Sequence, residues 1–250
     1  MRPVLTLTDV APTGVPGLDE LIGGGLPRGS CTLLMGGPGT GKTTLSLQFL
    51  HAGATRFNEP GLYVTLNETA ADIYRNAANF GWDFAALEKG RAFALLDARP
   101  FKVSDKGFIV PNQELFVGRE DIPFSRISYL VYNMTRELGV KRVVVDSVNV
   151  LLSQFKDEFV ARQGLIGLVQ ALNHFGCTSL LILEKAREEV APEEFIAQGI
   201  IELQLLRVEQ TWTRAVRVGK MRGVKHDLDA HPIVIEENGV KIFVKEKVLI

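Results

Sequence analysis

The stretch Gly36-Gly37-Pro38-Gly39-Thr40-Gly41-Lys42-Thr43 decides the fold, and Thr44 follows it directly. It fits the pattern G-x-x-x-x-G-K-[ST], in which backbone N–H groups surround the phosphates of a nucleotide. Glycine suits such a loop because it has no Cβ to block the approach of an anion to the backbone. In this motif Lys42 reaches the β- and γ-phosphates, and the Thr43 hydroxyl binds Mg²⁺. The sequence from Gly36 to Thr44 therefore predicts a site for a nucleoside triphosphate.

The residues on either side of the motif agree with this interpretation. Cys31 to Met35 form a short apolar run of strand length, and Thr44 to Leu50 are predicted to be helical. The motif requires this order of strand, glycine loop and helix, and the helix N-terminus adds a positive dipole end beside the loop. The alternative, a glycine-rich turn that only joins a strand to a helix, explains less of the pattern.

Composition narrows the class of protein. The chain has 250 residues, enough for one large α/β domain or two small ones, and its net charge of −1 gives no overall attraction to nucleic acid or anionic membrane. Its N-terminus lacks the apolar core of a signal peptide, and no apolar run reaches membrane-spanning length. We therefore expect a cytoplasmic protein without a membrane partner, with Cys31 and Cys177 as buried, reduced thiols.

A second apolar strand ends in an acid. Val143-Val144-Val145 precedes Asp146, which is the pattern of a Walker B strand. An aspartate at this point orients the hydration shell of Mg²⁺, although an aspartate that only caps a turn is the alternative. We predict Thr43 and Asp146 as the metal-binding pair. Mg²⁺ brought by the nucleotide is the one metal predicted.

The whole chain reads as an α/β fold. From residue 31 to residue 184, apolar segments of strand length alternate with amphipathic helices, which predicts a mainly parallel sheet with helices on both faces. Ligands bind at the carboxyl ends of such strands. Residues 67–68, Asp146 and Glu184 all follow strands, so we expect them near the glycine loop.

Two parts of the chain depart from this alternation. Residues 97–123 show no sustained period, and we expect an irregular excursion with a short hairpin, serving as a peripheral segment or as a lid or partner surface. Residues 199–250 read as strands separated by polar turns, including an Asn238-Gly239 hairpin signal. We predict an antiparallel β extension of the sheet.

The region before the glycine loop carries a family resemblance. Thr13-Gly14-Val15-Pro16-Gly17-Leu18-Asp19-Glu20-Leu21-Ile22 leads through Gly23-Gly24-Gly25-Leu26-Pro27-Arg28-Gly29-Ser30 to the loop. This combination resembles the RecA/RadA superfamily of P-loop ATPases, and most closely its KaiC branch, over nearly the whole chain. The resemblance implies a RecA-like core and ATP as the nucleotide. KaiC carries two such domains, whereas residues 1–250 show no internal repeat and are expected to form a single domain.

The resemblance also implies catalytic residues. RecA-like ATPases place a glutamate after the second strand to orient or deprotonate the attacking water, and KaiC has two adjacent glutamates there. This chain has Asn67 and Glu68, so Glu68 is the candidate base. An amide holds a water molecule but does not take its proton near neutral pH, which predicts slow turnover. Glu184 stands where RecA has a glutamine that senses the γ-phosphate.

A basic segment near the C-terminus completes the implied site. Lys220-Met221-Arg222-Gly223 matches the K-x-R-G segment that in KaiC-like proteins reaches the γ-phosphate held by the neighbouring subunit. Lys220 and Arg222 lie two apart on a strand, so they share a face, and cations stabilise the charge of phosphoryl transfer. A solvated basic strand end is the alternative. The resemblance implies a homo-oligomeric ring, expected to be a hexamer, with ATP sites between subunits.

Three functions follow from these residues. The first is Mg²⁺-dependent ATP hydrolysis, with Lys42, Glu68, Glu184, Lys220 and Arg222 as catalytic candidates, that drives a conformational or partner-binding change. The second is a RadA-paralogue-like DNA-binding accessory in recombination or repair. The resemblance implies two loops that meet DNA, near residues 153–158 and at residues 185–194. The second has four acids against two bases, which disfavours this function. The third is an ATP-gated scaffold with little hydrolysis, suggested by Asn67.

Overall fold

The computed structural model describes residues 9–104, 109–112, 124–185, 192–208 and 210–248. Within these residues there are thirteen strands, of which nine form one large sheet. The strands are β1 Val10–Ala11, β2 Leu26–Pro27, β3 Cys31–Gly36, β4 Gly61–Thr65, β5 Phe93–Asp97, β6 Phe101–Val103, β7 Ile109–Pro111, β8 Arg142–Asp146, β9 Thr178–Glu184, β10 Gly199–Val208, β11 Thr211–Met221, β12 Ala230–Glu236 and β13 Gly239–Ile242. The helices are α1 Leu18–Leu21, α2 Lys42–Arg56, α3 Ala70–Ala78, α4 Phe84–Lys89, α5 Phe124–Leu138, α6 Val148–Leu152 and α7 Glu158–His174, with a 3-10 helix at Pro192–Phe195.

The large sheet has the order β13-β12-β11-β10-β3-β9-β8-β4-β5. Pairing is parallel from β10 to β5 and antiparallel from β10 to β13. The predicted α/β fold with a parallel sheet and an antiparallel C-terminal extension is thereby confirmed. The phosphate loop, residues 36–43, follows the central strand β3, so the ends of β9, β8 and β4 lie beside it.

Helices cover both faces of the sheet, which explains the continuous apolar runs of its strands. Neighbouring residues on one strand enter different cores: Tyr63 and Val144 pack with α1 to α4, whereas Val143 and Val145 pack with α5 to α7. A strand buried on both faces needs apolar side chains at every position, not at alternate ones. The absence of a period-two pattern in the sequence is therefore the mark of a central strand.

Side-chain hydrogen bonds mark the starts of the helices α3 and α4. The pattern Thr69-Ala70-Ala71-Asp72 predicts a capping box, and at the start of α3 the Thr69 hydroxyl indeed accepts a hydrogen bond of 3.1 Å from the Asp72 amide. The short helices α4 and α6, with six and five residues, escaped prediction because they span less than two turns. Asp83 caps α4 by accepting from the Ala86 amide at 2.9 Å. Such single caps occur in turns as well, so they do not identify a helix of this length by themselves.

The structure defines the strands of the predicted excursion and of the C-terminal hairpin. β6 and β7 pair antiparallel, as a short hairpin requires, while residues 105–108 and 113–123 lie outside the described residues. The last hairpin has Glu237 and Asn238 as its loop, with Glu236 paired to Gly239. The sequence pattern predicts a final strand at residues 241–244, but the strand runs from Gly239 to Ile242, two residues earlier. The reason is that the glycine, at φ 106°, enters the ladder directly after a two-residue loop.

Both cysteines are buried free thiols, as predicted. Burial raises the pKa of Cys31 to about 12, so its thiol stays protonated near neutral pH. Among the described residues, no helix combines the length and the apolar character needed to cross a membrane.

Candidate nucleotide site

The phosphate loop leaves the sheet at Gly36, which is closely packed against the neighbouring strand. Its φ is +156°, and a Cβ at this position would lie 2.4 Å from the carbonyl oxygen of Leu203 and 2.9 Å from the Thr40 hydroxyl. No side chain fits at such a distance from a backbone oxygen in the middle of a sheet. Glycine at position 36 is thus required by the packing of the loop, independently of any ligand.

We expect Gly36→Ala to lower the free energy of unfolding by about 2–3 kcal/mol, because the new methyl group forces β3 and β10 apart. Urea unfolding followed by circular dichroism measures this loss. Gly139→Ala is the matched control: Gly139 also has a positive φ of +67°, but no described atom lies within 4 Å of its Cβ position. The control should lose about 1 kcal/mol from backbone strain alone. Equal losses in the two variants would contradict the steric explanation.

Lys42 is the first residue of α2 and is only 8% exposed. Its ammonium donates a hydrogen bond of 2.8 Å to the carbonyl oxygen of Gly37, and the Thr40 hydroxyl donates to the same oxygen at 2.9 Å. Burial lowers the pKa of Lys42, although the negative charges of Glu184 and Asp146 oppose this shift. The lysine therefore lies inside the phosphate loop, within the field of two carboxylates from neighbouring strand ends.

Asp146 ends β8 and is held by two hydroxyl groups. The Tyr63 hydroxyl donates to Asp146 Oδ2 at 2.5 Å, and the Thr43 hydroxyl donates to the same oxygen at 3.2 Å. Burial raises the pKa of Asp146, and the hydrogen bonds from Tyr63 and Thr43 act against that rise. The Thr43 hydroxyl and the Asp146 carboxylate are hard oxygen donors side by side, which is the donor type that Mg²⁺ prefers.

A complete protein cage for a metal is not present in the described residues, since no cluster of three or more His, Cys, Asp or Glu side chains has metal-binding geometry there. One hydroxyl and one carboxylate suit a Mg²⁺ ion that keeps its remaining sites for water and phosphate oxygens. The residues present thus fit Mg²⁺ bound together with a nucleotide.

Asn67 and Glu68 follow β4 beside Asp146. The Asn67 amide donates to the Ser147 hydroxyl at 3.2 Å, and the Glu68 carboxylate accepts from the Asn76 amide at 3.1 Å. Burial raises the pKa of Glu68, and repulsion from Asp146 and Asp72 adds to the rise. A carboxylate with a raised pKa is a stronger base than an ordinary one.

Glu184 ends β9 opposite Gly36, to which it is paired in the sheet. Its backbone is held by Asn149 of α6: the Glu184 amide donates to Asn149 Oδ1 at 2.7 Å, and the Asn149 side chain donates to the Glu184 carbonyl at 3.1 Å. The Glu184 side chain is exposed and close enough to Lys42 to affect its pKa. The structure therefore brings Lys42, Thr43, Glu68, Asp146 and Glu184 to one edge of the sheet.

Lys220 and Arg222 lie elsewhere. Lys220 pairs with Ile200, which pairs with Leu33, three residues before Gly36 and two strands away from it. With strand rises of about 3.3 Å and strand spacings of about 4.8 Å, the Lys220 backbone is about 14 Å from Gly36. The Lys220 ammonium instead donates to the Glu194 carbonyl at 2.9 Å. Arg222 comes after the end of β11, and its backbone amide donates to the Gln198 carbonyl at 2.9 Å, so it lies further from the phosphate loop than Lys220 does.

Three contacts of the site escaped sequence analysis. Tyr63 holds Asp146, Asn149 holds Glu184, and the Arg214 guanidinium donates from Nε to the Gly39 carbonyl at 2.9 Å. Tyr63 stands in an apolar strand and reads as core. Arg214 is separated from Gly39 by 175 residues, so no local pattern connects them.

A cavity of about 420 Å³ lies along α2, beyond the phosphate loop. Gln48, His51, Phe80, Trp82 and Asn238 are among its lining residues. The rings of His51 and Trp82 are stacked with centroids 5.6 Å apart, and Phe80 stacks on Trp82 at 5.0 Å. The Gln48 amide is bonded to the backbone of Val240, so the cavity offers flat aromatic surface next to the Asn238 amide.

Comparison with known proteins gives the family. A family model described as "ATPase: KaiC" matches residues 11–247. The chain belongs to the KaiC family of ATPases. The expected RecA-like P-loop ATPase fold of the KaiC type is confirmed with it.

Two relatives of similar length match more than nine-tenths of the chain. The UPF0273 protein MK0039 of Methanopyrus kandleri is 35% identical over 244 residues, covering 94% of both chains. The crystal structure of the KaiC-like protein PH0186 of Pyrococcus horikoshii has a TM-score of 0.78 at 34% identity, covering 93% of this chain and 97% of that one. The circadian clock oscillator protein KaiC of Parasynechococcus marenigrum is 34% identical over 240 residues, but the match spans only 44% of its length.

The two loops that would meet DNA in the wider superfamily are only partly described. Residues 153–158 lead into α7, where Asp157 caps the helix by accepting from the Phe159 amide at 2.8 Å. Of residues 185–194, the stretch 186–191 lies outside the described residues. Lys185, at the start of that loop, is paired with Glu194 at 2.8 Å. Binding of DNA stays a prediction that these contacts do not test.

Proposed function

We propose that this KaiC-family protein is a Mg²⁺-dependent ATP hydrolase whose sites are completed by a neighbouring copy of the chain. The observation that carries the proposal is the 3.2 Å contact between the Thr43 hydroxyl and the Asp146 carboxylate, next to Lys42 in the phosphate loop. These are the groups that a nucleotide with its metal ion requires: Lys42 and Thr43 begin α2, and Asp146 ends β8, two strands away from β3 in the sheet. Family membership supports ATP as the nucleotide.

Each residue has a role in this proposal. Mg²⁺, held by Thr43 and Asp146, would supply positive charge to the phosphate oxygens. Lys42 moves its ammonium from the Gly37 carbonyl to the γ-phosphate and stabilises the charge that develops there. Glu68 accepts a hydrogen bond from the attacking water and takes its proton, which its raised pKa favours. Glu184, near Lys42, senses whether the γ-phosphate is present.

The base of the nucleotide would occupy the cavity beside α2. The phosphate loop runs directly into α2, and Gln48 lies six residues, about 9 Å, further along this helix than Lys42. A planar base fits against the aromatic rings of Phe80 and Trp82, while the exposed Asn238 amide offers a polar edge. Affinity for adenine would then come from the same helix that begins the phosphate loop.

The position of Lys220 and Arg222 supports sharing of sites between copies. Because the Lys220 backbone lies about 14 Å from Gly36 and Arg222 follows in the direction away from the loop, neither reaches the phosphates bound by its own chain without large movement. A closed ring places one edge of each copy against the opposite edge of the next. We propose such a ring, with six members, in which Lys220 and Arg222 contact the γ-phosphate of the neighbour.

A complementation experiment tests the shared site. Lys42→Ala and Lys220→Ala chains should each release almost no phosphate from Mg-ATP alone. Mixed in equal amounts and allowed to exchange, they should regain activity, because about a quarter of the sites combine an intact Lys42 with an intact neighbouring Lys220. For the wild type, the rate per chain should rise with protein concentration and then level off. No recovery on mixing, with wild-type activity independent of concentration, would contradict the proposal.

We expect Glu68→Gln to lower phosphate release about 100-fold or more while leaving ATP affinity nearly unchanged, because the amide cannot accept the proton. In the wild type, turnover should fall as the pH drops through the pKa of Glu68, which burial places above its ordinary value of 4.5. This acid limb should disappear in the variant. Glu88→Gln is the control, since Glu88 is bonded to Tyr74 on the surface.

An ATP-gated scaffold is the second candidate function. It is favoured by the contact between the Asn67 amide and the Ser147 hydroxyl, which ties the residue at the position of the first glutamate to the neighbouring strand. If wild-type phosphate release equals that of Lys42→Ala while ATP still binds, the scaffold function replaces the hydrolase.

A further inference from the structure

Arg214 contacts the phosphate loop from a strand of the C-terminal extension. Leu203 of β10 pairs with Gly36 at the end of β3, and Leu205, two residues further on, pairs with Arg214 of β11. The ribbon of β10 and β11 therefore continues past the end of the central strand. This extension carries Arg214 over the loop, where its Nε donates to the Gly39 carbonyl at 2.9 Å.

The Gly39 peptide has little else to hold it. Gly39 has a φ of +72°, is exposed, and has no described atom within 4 Å of its Cβ position. The next residue is fixed, since Thr40 is 2% exposed and its hydroxyl donates to the Gly37 carbonyl. The hydrogen bond from Arg214 thus restrains the exposed side of the peptide bond between Gly39 and Thr40.

Peptide geometry links this restraint to anion binding. In a planar trans peptide the C=O and the N–H point in opposite directions. When Arg214 holds the Gly39 oxygen outward, the Thr40 N–H is directed to the other side, where the loop would receive phosphate. A free peptide would rotate and lose this orientation, because glycine allows many backbone conformations.

We propose that Arg214 is a positioning residue of the phosphate loop, which raises nucleotide affinity by orienting the Gly39–Thr40 peptide. This inference rests on the proposed function, since it assumes that the loop binds nucleotide. Within the described residues Arg214 forms no ion pair, whereas Arg217 on the same strand is bound by Glu202 at 2.9 Å. The two arginines therefore make different contacts, and Arg217 provides a matched control.

The test compares Arg214→Ala, Arg217→Ala, Lys42→Ala and wild-type chains by titration with fluorescent ADP and ATP in the presence of Mg²⁺. Arg214→Ala should bind both nucleotides about tenfold more weakly, which is the effect of one lost hydrogen bond to a charged group. Its KM for ATP should rise by the same factor, with kcat changed less than about twofold. Arg217→Ala should bind as the wild type does, and the unfolding midpoint without nucleotide should be the same in both variants.

The decisive result is that Arg214→Ala loses affinity for ADP and for ATP by the same factor. This is expected because the backbone of the loop contacts the phosphates that ADP and ATP share. A loss confined to ATP would overturn the inference and make Arg214 a direct γ-phosphate contact. If Arg214→Ala binds nucleotide as the wild type does while Lys42→Ala binds it more weakly, the inference about Arg214 is overturned and the proposed function is not. If the wild type binds no nucleotide and Lys42→Ala behaves identically, the proposed function fails and the inference fails with it.

Discussion

Replacing Lys42 by alanine should lower phosphate release from Mg-ATP by at least about 100-fold, the range seen when one donor to a developing charge is removed. Lys42 is the first residue of α2, and its ammonium lies inside the phosphate loop, 2.8 Å from the Gly37 carbonyl oxygen. Without it, the γ-phosphate loses its cationic partner within the same chain. We expect the affinity for ATP to fall more than that for ADP, because lysine reaches the β- and γ-phosphates.

The fold should survive this change. Burial lowers the pKa of Lys42, so the charged form is less stable inside the loop than in water. Removing a buried charge that is not strongly paired relieves that cost, and urea unfolding should show an equal or slightly higher midpoint. A drop in stability large enough to unfold the variant would contradict this account of Lys42.

The matched control for Lys42 is Lys247→Ala, which removes an exposed lysine paired with Asp229 on the surface. Its phosphate release should equal that of the wild type. If Lys42→Ala retains wild-type turnover, ATP hydrolysis does not depend on the phosphate loop, and the proposed function is wrong.

Replacing Glu59 by alanine should lower the free energy of unfolding by about 3–5 kcal/mol, the cost of leaving a buried charge without its partner. Arg142, the first residue of β8, is fully buried, and its Nε donates to Glu59 Oε2 at 2.6 Å. Its Nη1 donates to the Phe49 carbonyl at 2.9 Å. Arg28 binds the other oxygen of the same carboxylate. Glu59 therefore neutralises one guanidinium that has no access to water.

The surroundings of Arg142 explain why no other group can replace Glu59. The guanidinium lies over the rings of Phe49 and Phe57, at 4.6 and 5.1 Å from their centroids. A Cβ on Gly53 would lie 2.4 Å from Arg142 Cδ, so α2 is pressed closely against this side chain. Burial lowers the pKa of Arg142 despite the attraction of Glu59, which shows how weakly solvated the charge is.

A double variant separates the two contributions. Glu59→Ala with Arg142→Met removes both charges and should recover most of the lost stability, because an apolar side chain replaces the buried pair. Asp229→Ala is the control for an ordinary ion pair, since Asp229 and Lys247 are about half exposed; it should cost less than about 1 kcal/mol. Losses of similar size for Glu59→Ala and Asp229→Ala, measured by urea unfolding, would show that burial of Arg142 is unimportant.

Much of the fold was predictable because its signals are local. The strand β3, the phosphate loop and α2 are contiguous, so the motif and its flanks predicted them together. Thr69 and Asp72 predicted the start of α3, and the polar turns after residue 199 predicted the antiparallel strands. The parallel sheet followed from continuous apolar runs, which mark strands that are buried on both faces. Each of these features depends on residues that are close together in the sequence, within two helical turns or within one strand.

The candidate site was predictable only where it follows strand ends. Parallel strands end at a common edge, so the sequence placed Glu68, Asp146 and Glu184 together without knowledge of the strand order. Asn149, by contrast, holds the Glu184 backbone from α6, a helix of five residues that gave no sequence signal. The sequence therefore predicted the residues with functional side chains, but it did not predict the residues that hold them in place.

The sequence alone determined that this chain has a phosphate-binding loop in an α/β sheet of the KaiC type. The tertiary structure decided which distant residues meet: Tyr63 and Asp146 and also Arg214 and Gly39 at the nucleotide site, and Arg142 and Glu59 in the core, separated by 83, 175 and 83 residues. It also placed Lys220 about 14 Å from the loop of its own chain. The physical reason is that these contacts depend on the order of strands β11-β10-β3-β9-β8-β4, and periodicity along one chain carries no information about which strands become neighbours.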